Sequence, residues 1–125
     1  MRLETIKEGP AYDAHYTPVL FVHGMSHAAW CWVEHFRPYF AKHGYVSHAL
    51  SLRGHGNSEG RKRLRWTPLA EYVSDVAQVV GQMERSPVLV GHSMGGMIVQ
   101  KYLESNGTPA AVLLASAPPQ GVLRA

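Results

Sequence analysis

The sequence predicts an α/β fold, a mostly parallel sheet with helices on both faces in three αβα layers. Three observations predict it. Short apolar runs rich in β-branched residues alternate with longer segments of helical period. The runs are apolar almost throughout, as parallel strands buried on both faces must be. Glycine-rich turns follow three of these runs: His23-Gly24, Arg53-Gly54-His55-Gly56, and Gly91 to Gly96. Ligands of such sheets bind at the carboxyl ends of the strands. Three turns at one sheet edge therefore make a site.

The strands expected are Pro18–His23, Val46–Leu52, Val88–Gly91 and Ala111–Ala115, all read as buried. Leu3–Lys7 alternates and reads as a weaker strand at an edge. Trp32, Phe36, Tyr39 and Phe40 share one face of a first helix that Gly44 terminates, with Pro38 shortening or distorting it. Thr67-Pro68 reads as an N-cap followed by proline at the first helical position. Behind it, Leu69, Tyr72, Val73, Val76, Val80 and Met83 form a stripe at spacings of three and four. A third helix starts at the Ser93 turn, carries Ile98, Tyr102 and Leu103, and stops at Asn106-Gly107.

Composition bounds the rest. A chain of 125 residues, 46% apolar and 17% charged, is one globular domain, 1–125. A net charge of +3 without a basic stripe interleaved with aromatics points away from nucleic acid. The lone Cys31 excludes an internal disulfide framework. The amino terminus has no apolar signal core, and no run approaches the length of a membrane span. A cytoplasmic location is the default reading. No His, Cys or Asp cluster has metal-ligand spacing, so neither metal nor cofactor is expected.

Gly91-His92-Ser93-Met94-Gly95 fits the G-x-S-x-G pattern, in which a strand reverses into a helix within two residues. The serine is held in a strained conformation, and its neighbours are glycine because adjacent chain passes where a Cβ would sit. Its hydroxyl then stands clear of the sheet. The N–H of Met94 lies at a helix amino terminus, where negative charge is favoured. Alone the pattern is a weak signal; the strand before it and the helix after it strengthen it. In an acyl-transfer reading the N–H of Met25, in Val22-His23-Gly24-Met25, is a second donor to the same oxyanion. The His23 side chain reads as a structural pin of that turn.

Together, PVLFVHGMSHAAWCW, LSLRGHGNSEG and PVLVGHSMGGM, in that order and spacing, resemble the amino-terminal half of the α/β-hydrolase fold, from about Pro18 to Pro118. The resemblance is to the single-domain esterase and lipase-like branch, with monoacylglycerol-lipase-like enzymes among it. The HG…AWCW segment is also similar to plant-type esterases and hydroxynitrile lyases. The resemblance implies a nucleophile at Ser93, an oxyanion hole from the N–H groups of Met25 and Met94, a small acyl substrate and no cofactor. Branches that open epoxides or remove halides carry Asp at the elbow, and Ser93 argues against those.

In the family order, serine, acid and histidine follow one another along the chain. No residue after Ser93 is His, Asp or Cys, and the one carboxylate there is Glu104. The expectation is a truncated fold, lacking the cap and the last strands, whose acid and base come from a missing carboxy-terminal half or a second subunit. A non-catalytic ligand-binding remnant is the alternative. Among local residues His55 is the best candidate base, because its turn shares the sheet edge, while His92 is expected to point to the other side of the elbow. Asp13 and Asp75 are the two aspartates, and Asp75 reads as a solvated surface charge. Gly24, Trp30 and Met97 are candidate substrate-binding residues. The run Arg61-Lys62-Arg63-Leu64-Arg65 reads as a solvated loop, or as an attraction for an anionic substrate or headgroup. Cys31 reads as a small hydrophobe.

Overall fold

The computed structural model describes residues 1–10 and 17–120. Asp13 and Gly121 lie outside the described residues. Five strands, β1 (Thr5–Glu8), β2 (Val19–Val22), β3 (Ser47–Leu50), β4 (Val88–His92) and β5 (Ala111–Leu114), form one sheet in the order β1-β3-β2-β4-β5. β2 pairs in parallel with both β3 and β4, and β4 with β5, while β1 runs antiparallel along β3 at the edge. The sheet is thus mostly parallel, with the amino-terminal strand at an edge as expected.

Side chains alternate across the pleat and sort the core into two clusters. Leu20, Val22, Leu50 and Leu89 pack with Tyr72, Val76 and Val79 of α2 (Leu69–Gly81) and Ile98, Val99 and Tyr102 of α3 (Met94–Leu103). Val19, Phe21, Ala49 and Val90 pack on the other face with Ala29, Trp32 and Phe40. Phe21 and Trp32 stack with ring centroids 4.8 Å apart. Three layers result.

The first helix differs from the reading of one continuous face. Ala29–Trp32 is a separate 3-10 turn, and α1 covers Phe36–Lys42. Trp32 is buried, but Tyr39 is exposed. Pro38 is the third residue of α1, where its missing N–H would have no intrahelical acceptor, so it shapes the start of the helix rather than breaking it. Gly44, at φ 87°, ends α1 as expected. Its N–H donates to the Ala41 carbonyl and that of Tyr45 to the Phe40 carbonyl, the paired bonds of a Schellman close.

Thr67 does not cap α2. Pro68 holds the cap position, and the Thr67 hydroxyl donates instead to the Arg63 carbonyl at 3.0 Å. α3 runs from the elbow to Leu103, and the Asn106 side chain donates to the Tyr102 carbonyl at its end. β5 is the other edge of the sheet. Val112 and Leu113 remain 45% and 43% exposed, because β5 pairs on one side only. Among the described residues, no helix is long and apolar enough to cross a membrane.

The topology sets the site. After β2 the chain turns to the α1 face and β3; after β4 it turns into α3 on the opposite face. The carboxyl ends of β2 and β4 are neighbours whose connections diverge, and that divergence opens a crevice.

Candidate active site

Ser93 stands at the carboxyl end of β4 with φ 54° and ψ −117°, a conformation rarely adopted by a residue with a Cβ. Its neighbours hold it there. Its N–H donates to the Leu114 carbonyl at 3.1 Å, and its carbonyl accepts from Gly96, Met97 and Ala117. Such over-determination is how strain persists at a functional position. The glycines are demanded by contact. A Cβ on Gly91 would lie 2.6 Å from the Gly95 carbonyl oxygen, and one on Gly95 would meet the Val22 oxygen and, at 2.5 Å, that of His23. One on Gly96 would strike the Ser116 hydroxyl. β4 therefore turns into α3 directly against the end of β2.

That approach brings the second turn to the first. A Cβ on Gly24 would lie 3.2 Å from the Ser93 Cβ. Among the described residues, the turn and loop bonds include no acceptor for the N–H of Met25 or of Met94, the first residue of α3. The Met25 side chain is exposed and that of Met94 buried. The elbow, Gly24, Met25 and Met94 thus share one corner of the crevice.

His23 pins the turn as expected. Its Nε2 accepts the Leu52 N–H at 3.0 Å, so the ring proton sits on Nδ1, 2.6 Å from the Gly24 carbonyl oxygen to which it donates. Burial pushes its pKa down to about 4, which keeps the ring neutral. His55, the local candidate base, has Nδ1 2.9 Å from the Arg53 carbonyl oxygen and packs against His23 and Tyr72. His92 packs edge-on to Trp32, 6.5 Å away, in the layer opposite α3. Among the described residues, the Ser93 hydroxyl has no hydrogen-bond partner. Cys31 is half-buried, and desolvation raises its thiol to about 11, so it stays protonated at neutral pH.

Asp75 overturns its reading as a surface charge: it is fully buried. Its Oδ2 accepts the main-chain N–H of Arg53, and its Oδ1 accepts from Nε and Nη2. Glu71 binds the remaining Nη1 at 2.7 Å. Hydrogen bonding to Asp75 raises the Arg53 pKa further. Glu4 does the same work from β1's side. It accepts the Ser51 hydroxyl at 2.6 Å and the Asn57 amide, and Ser51 in turn accepts the Ala29 N–H. The Ser51 bond leads in holding the Glu4 carboxyl below its usual range. Asp75 thus ties Arg53 to α2, while Glu4 ties Asn57 and, through Ser51, the Ala29 segment after β2. A signal for Asp75 exists in the sequence: it lies between Tyr72 and Val76, inside the apolar stripe.

The crevice is a cleft of about 730 Å³ walled by Met25, Trp30, Leu64, Leu69, Met94 and Met97, among others. Trp30 is 61% exposed there and Met97 half-buried; these two of the three residues singled out for substrate line the cleft, while Gly24 is not among its walls. Ser93 is not itself a wall; it adjoins Met94, which is. A second cleft, lined by Lys7, Pro18 and Val46 among others, lies at the opposite end of the strands and includes none of these residues. Among the described residues no group of His, Cys, Asp or Glu could hold a metal ion.

A strand–serine–helix elbow at the switch point of a mostly parallel sheet defines a class, the α/β hydrolases. The chain belongs to the alpha/beta hydrolase family, whose model matches residues 19–125. It is 34% identical over 106 residues to a non-heme chloroperoxidase from Streptomyces lividans, a match covering 82% of this chain and 37% of the relative. It is 36% identical over 89 residues to a monoacylglycerol lipase from Mycolicibacterium smegmatis, covering 67% and 31%. Its structure resembles an esterase from Exiguobacterium antarcticum with a TM-score of 0.76 at 25% identity, over 94% of this chain and 42% of that one. The chain thus spans about a third of the length of the curated relatives it matches.

Proposed function

We propose that the chain carries the nucleophile and the oxyanion donors of a serine hydrolase acting on an ester or related acyl bond. The observation that supports this best is Ser93 at φ 54° with the Gly24 turn packed 3.2 Å from its Cβ. In this reading Ser93 Oγ attacks the acyl carbon as its proton passes to an imidazole base. The N–H groups of Met25 and Met94 donate to the oxyanion, a pair in which each donor is worth about 2.7–4 kcal/mol of transition-state stabilisation. The alcohol leaves with the proton, and water then releases the acyl group from Ser93. The acid and base come from residues outside these 125, in keeping with the third of the relatives' length that the chain spans. The same missing contact to the Ser93 hydroxyl favours a second reading, a ligand-binding module without turnover.

Reaction with a fluorophosphonate probe tests both, with the adduct mapped and Ser93→Ala as control. The expected result is slow labelling confined to Ser93. Rapid labelling by the chain alone would show that a base lies within it. No adduct, with ligand still bound in the cleft, would overturn the hydrolase reading in favour of the module.

A further inference from the structure

The basic run is not a free loop. Arg61–Trp66 forms a 3-10 turn, entered through Gly60 at φ 100°. It is fastened at both ends: Gly54 N–H donates to the Glu59 carbonyl, and the Thr67 hydroxyl donates to that of Arg63. Leu64 presses on Gly54, where an added Cβ would lie 2.9 Å from Leu64 Cδ1. Gly54 follows Arg53, which Asp75 clamps. The turn is therefore seated on the same rigid framework as the elbow.

Its charges are distributed unevenly. Arg63 points to Glu71, 3.7 Å away. Arg61 and Arg65 line the cleft instead, and among the described residues neither has an acidic partner. Among the described residues no carboxylate is a cleft wall; the other walls are mostly apolar, including Trp30, Leu64, Met94 and Met97. An apolar cleft lined by two exposed arginines, with no acidic partner among the described residues, suits a ligand that is apolar in the middle and anionic at one end.

We infer that Arg61 and Arg65 are specificity residues that select an ester whose chain ends in an anionic group, a carboxylate or a phosphate. The word ester rests on the hydrolase reading; the anion selectivity does not. Charge-assisted, forked hydrogen bonds from guanidinium suit both anions.

Equilibrium dialysis of the intact chain against monomethyl suberate and methyl octanoate tests it. The two esters share chain length and differ in the end charge. The anionic ester is expected to bind about tenfold tighter at low salt, with the preference largely lost near 1 M salt, where screening acts within about 3 Å. Arg61→Gln with Arg65→Gln should abolish the preference and leave methyl octanoate unchanged, with circular dichroism confirming the fold. The readout is binding and not turnover, so failure of the hydrolase reading leaves this result standing. Equal binding of the two esters, or a preference that survives the double substitution, would overturn the proposal. So would loss on double substitution of binding to phosphatidylglycerol vesicles alone, with no discrimination between the free esters, which would assign the arginines to a lipid surface.

Discussion

Asp75 holds Arg53 by three hydrogen bonds, to the main-chain N–H at 2.8 Å, to Nε at 2.9 Å and to Nη2 at 2.7 Å. One carboxylate on α2 thereby fixes both the backbone and the side chain of the residue that opens the Arg53–Asn57 turn. Removing one member of a buried pair strands the other. Asp75→Asn is expected to cost about 3 kcal/mol of stability in urea unfolding. Glu71→Gln, at the more exposed end of the same arginine, should cost less than about 1 kcal/mol.

Gly95 and Gly81 both lie in helices, yet their substitution should act in opposite directions. A Cβ at Gly95 collides with backbone oxygens of Val22 and His23, which cannot swing aside, whereas one at Gly81 meets nothing within 4 Å among the described residues. Gly95→Ala should destabilise the fold by at least about 3 kcal/mol. Gly81→Ala should stabilise it by up to about 1 kcal/mol. Thermal unfolding of the two variants separates local collision from helix propensity.

The strain at Ser93 is a conformational cost that a Cβ imposes. Ser93→Gly removes it and Ser93→Ala keeps it. The glycine variant should therefore be more stable than the alanine variant by about 1 kcal/mol, although both lose the hydroxyl. Comparable melting temperatures would show that the elbow is relaxed.

His23 makes stability depend on pH with a definite sign. Its neutral form is bound in the fold, with a pKa near 4 against an ordinary 6.5. Above pH 6.5 the ring is neutral in both states. Between pH 6.5 and 4 the unfolded chain takes up the proton and the folded one does not, so stability falls as pH falls. The loss is roughly 3 kcal/mol across that window. Glu4, whose carboxyl is held below its ordinary range, adds a loss in the same direction at lower pH. His23→Gln keeps an acceptor for Leu52 but cannot titrate; the fall in stability from pH 6.5 to 5 should shrink to the part contributed by His48, which burial also holds below its ordinary range.

Much of this was legible in the chain because it depends on local pattern. Apolar runs such as Val19–Val22 and Val88–Val90 declare strands, and the spacing of Tyr72, Val76 and Val80 declares α2. Gly91, Gly95 and Ser93 are spaced as a strand-to-helix reversal demands. Asp75 reads as a surface charge when its charge outweighs its place inside the stripe, because its partner Arg53 lies on another element. Val112 and Leu113 read as strand from their apolar type, but apolar sequence records a tendency to be covered, not what covers it.

The sequence by itself determined the order of strands and helices, the three glycine turns and the serine among them, since each follows from residue type and spacing along a few neighbouring positions. Only the tertiary structure decided that Gly24 meets Ser93, that Asp75 clamps Arg53, and that Arg61 and Arg65 line the cleft while Arg63 pairs with Glu71. Those pairings depend on which strand ends the sheet order brings together. Contacts between residues tens of positions apart are set by packing and by the exclusion of water, not by local preference.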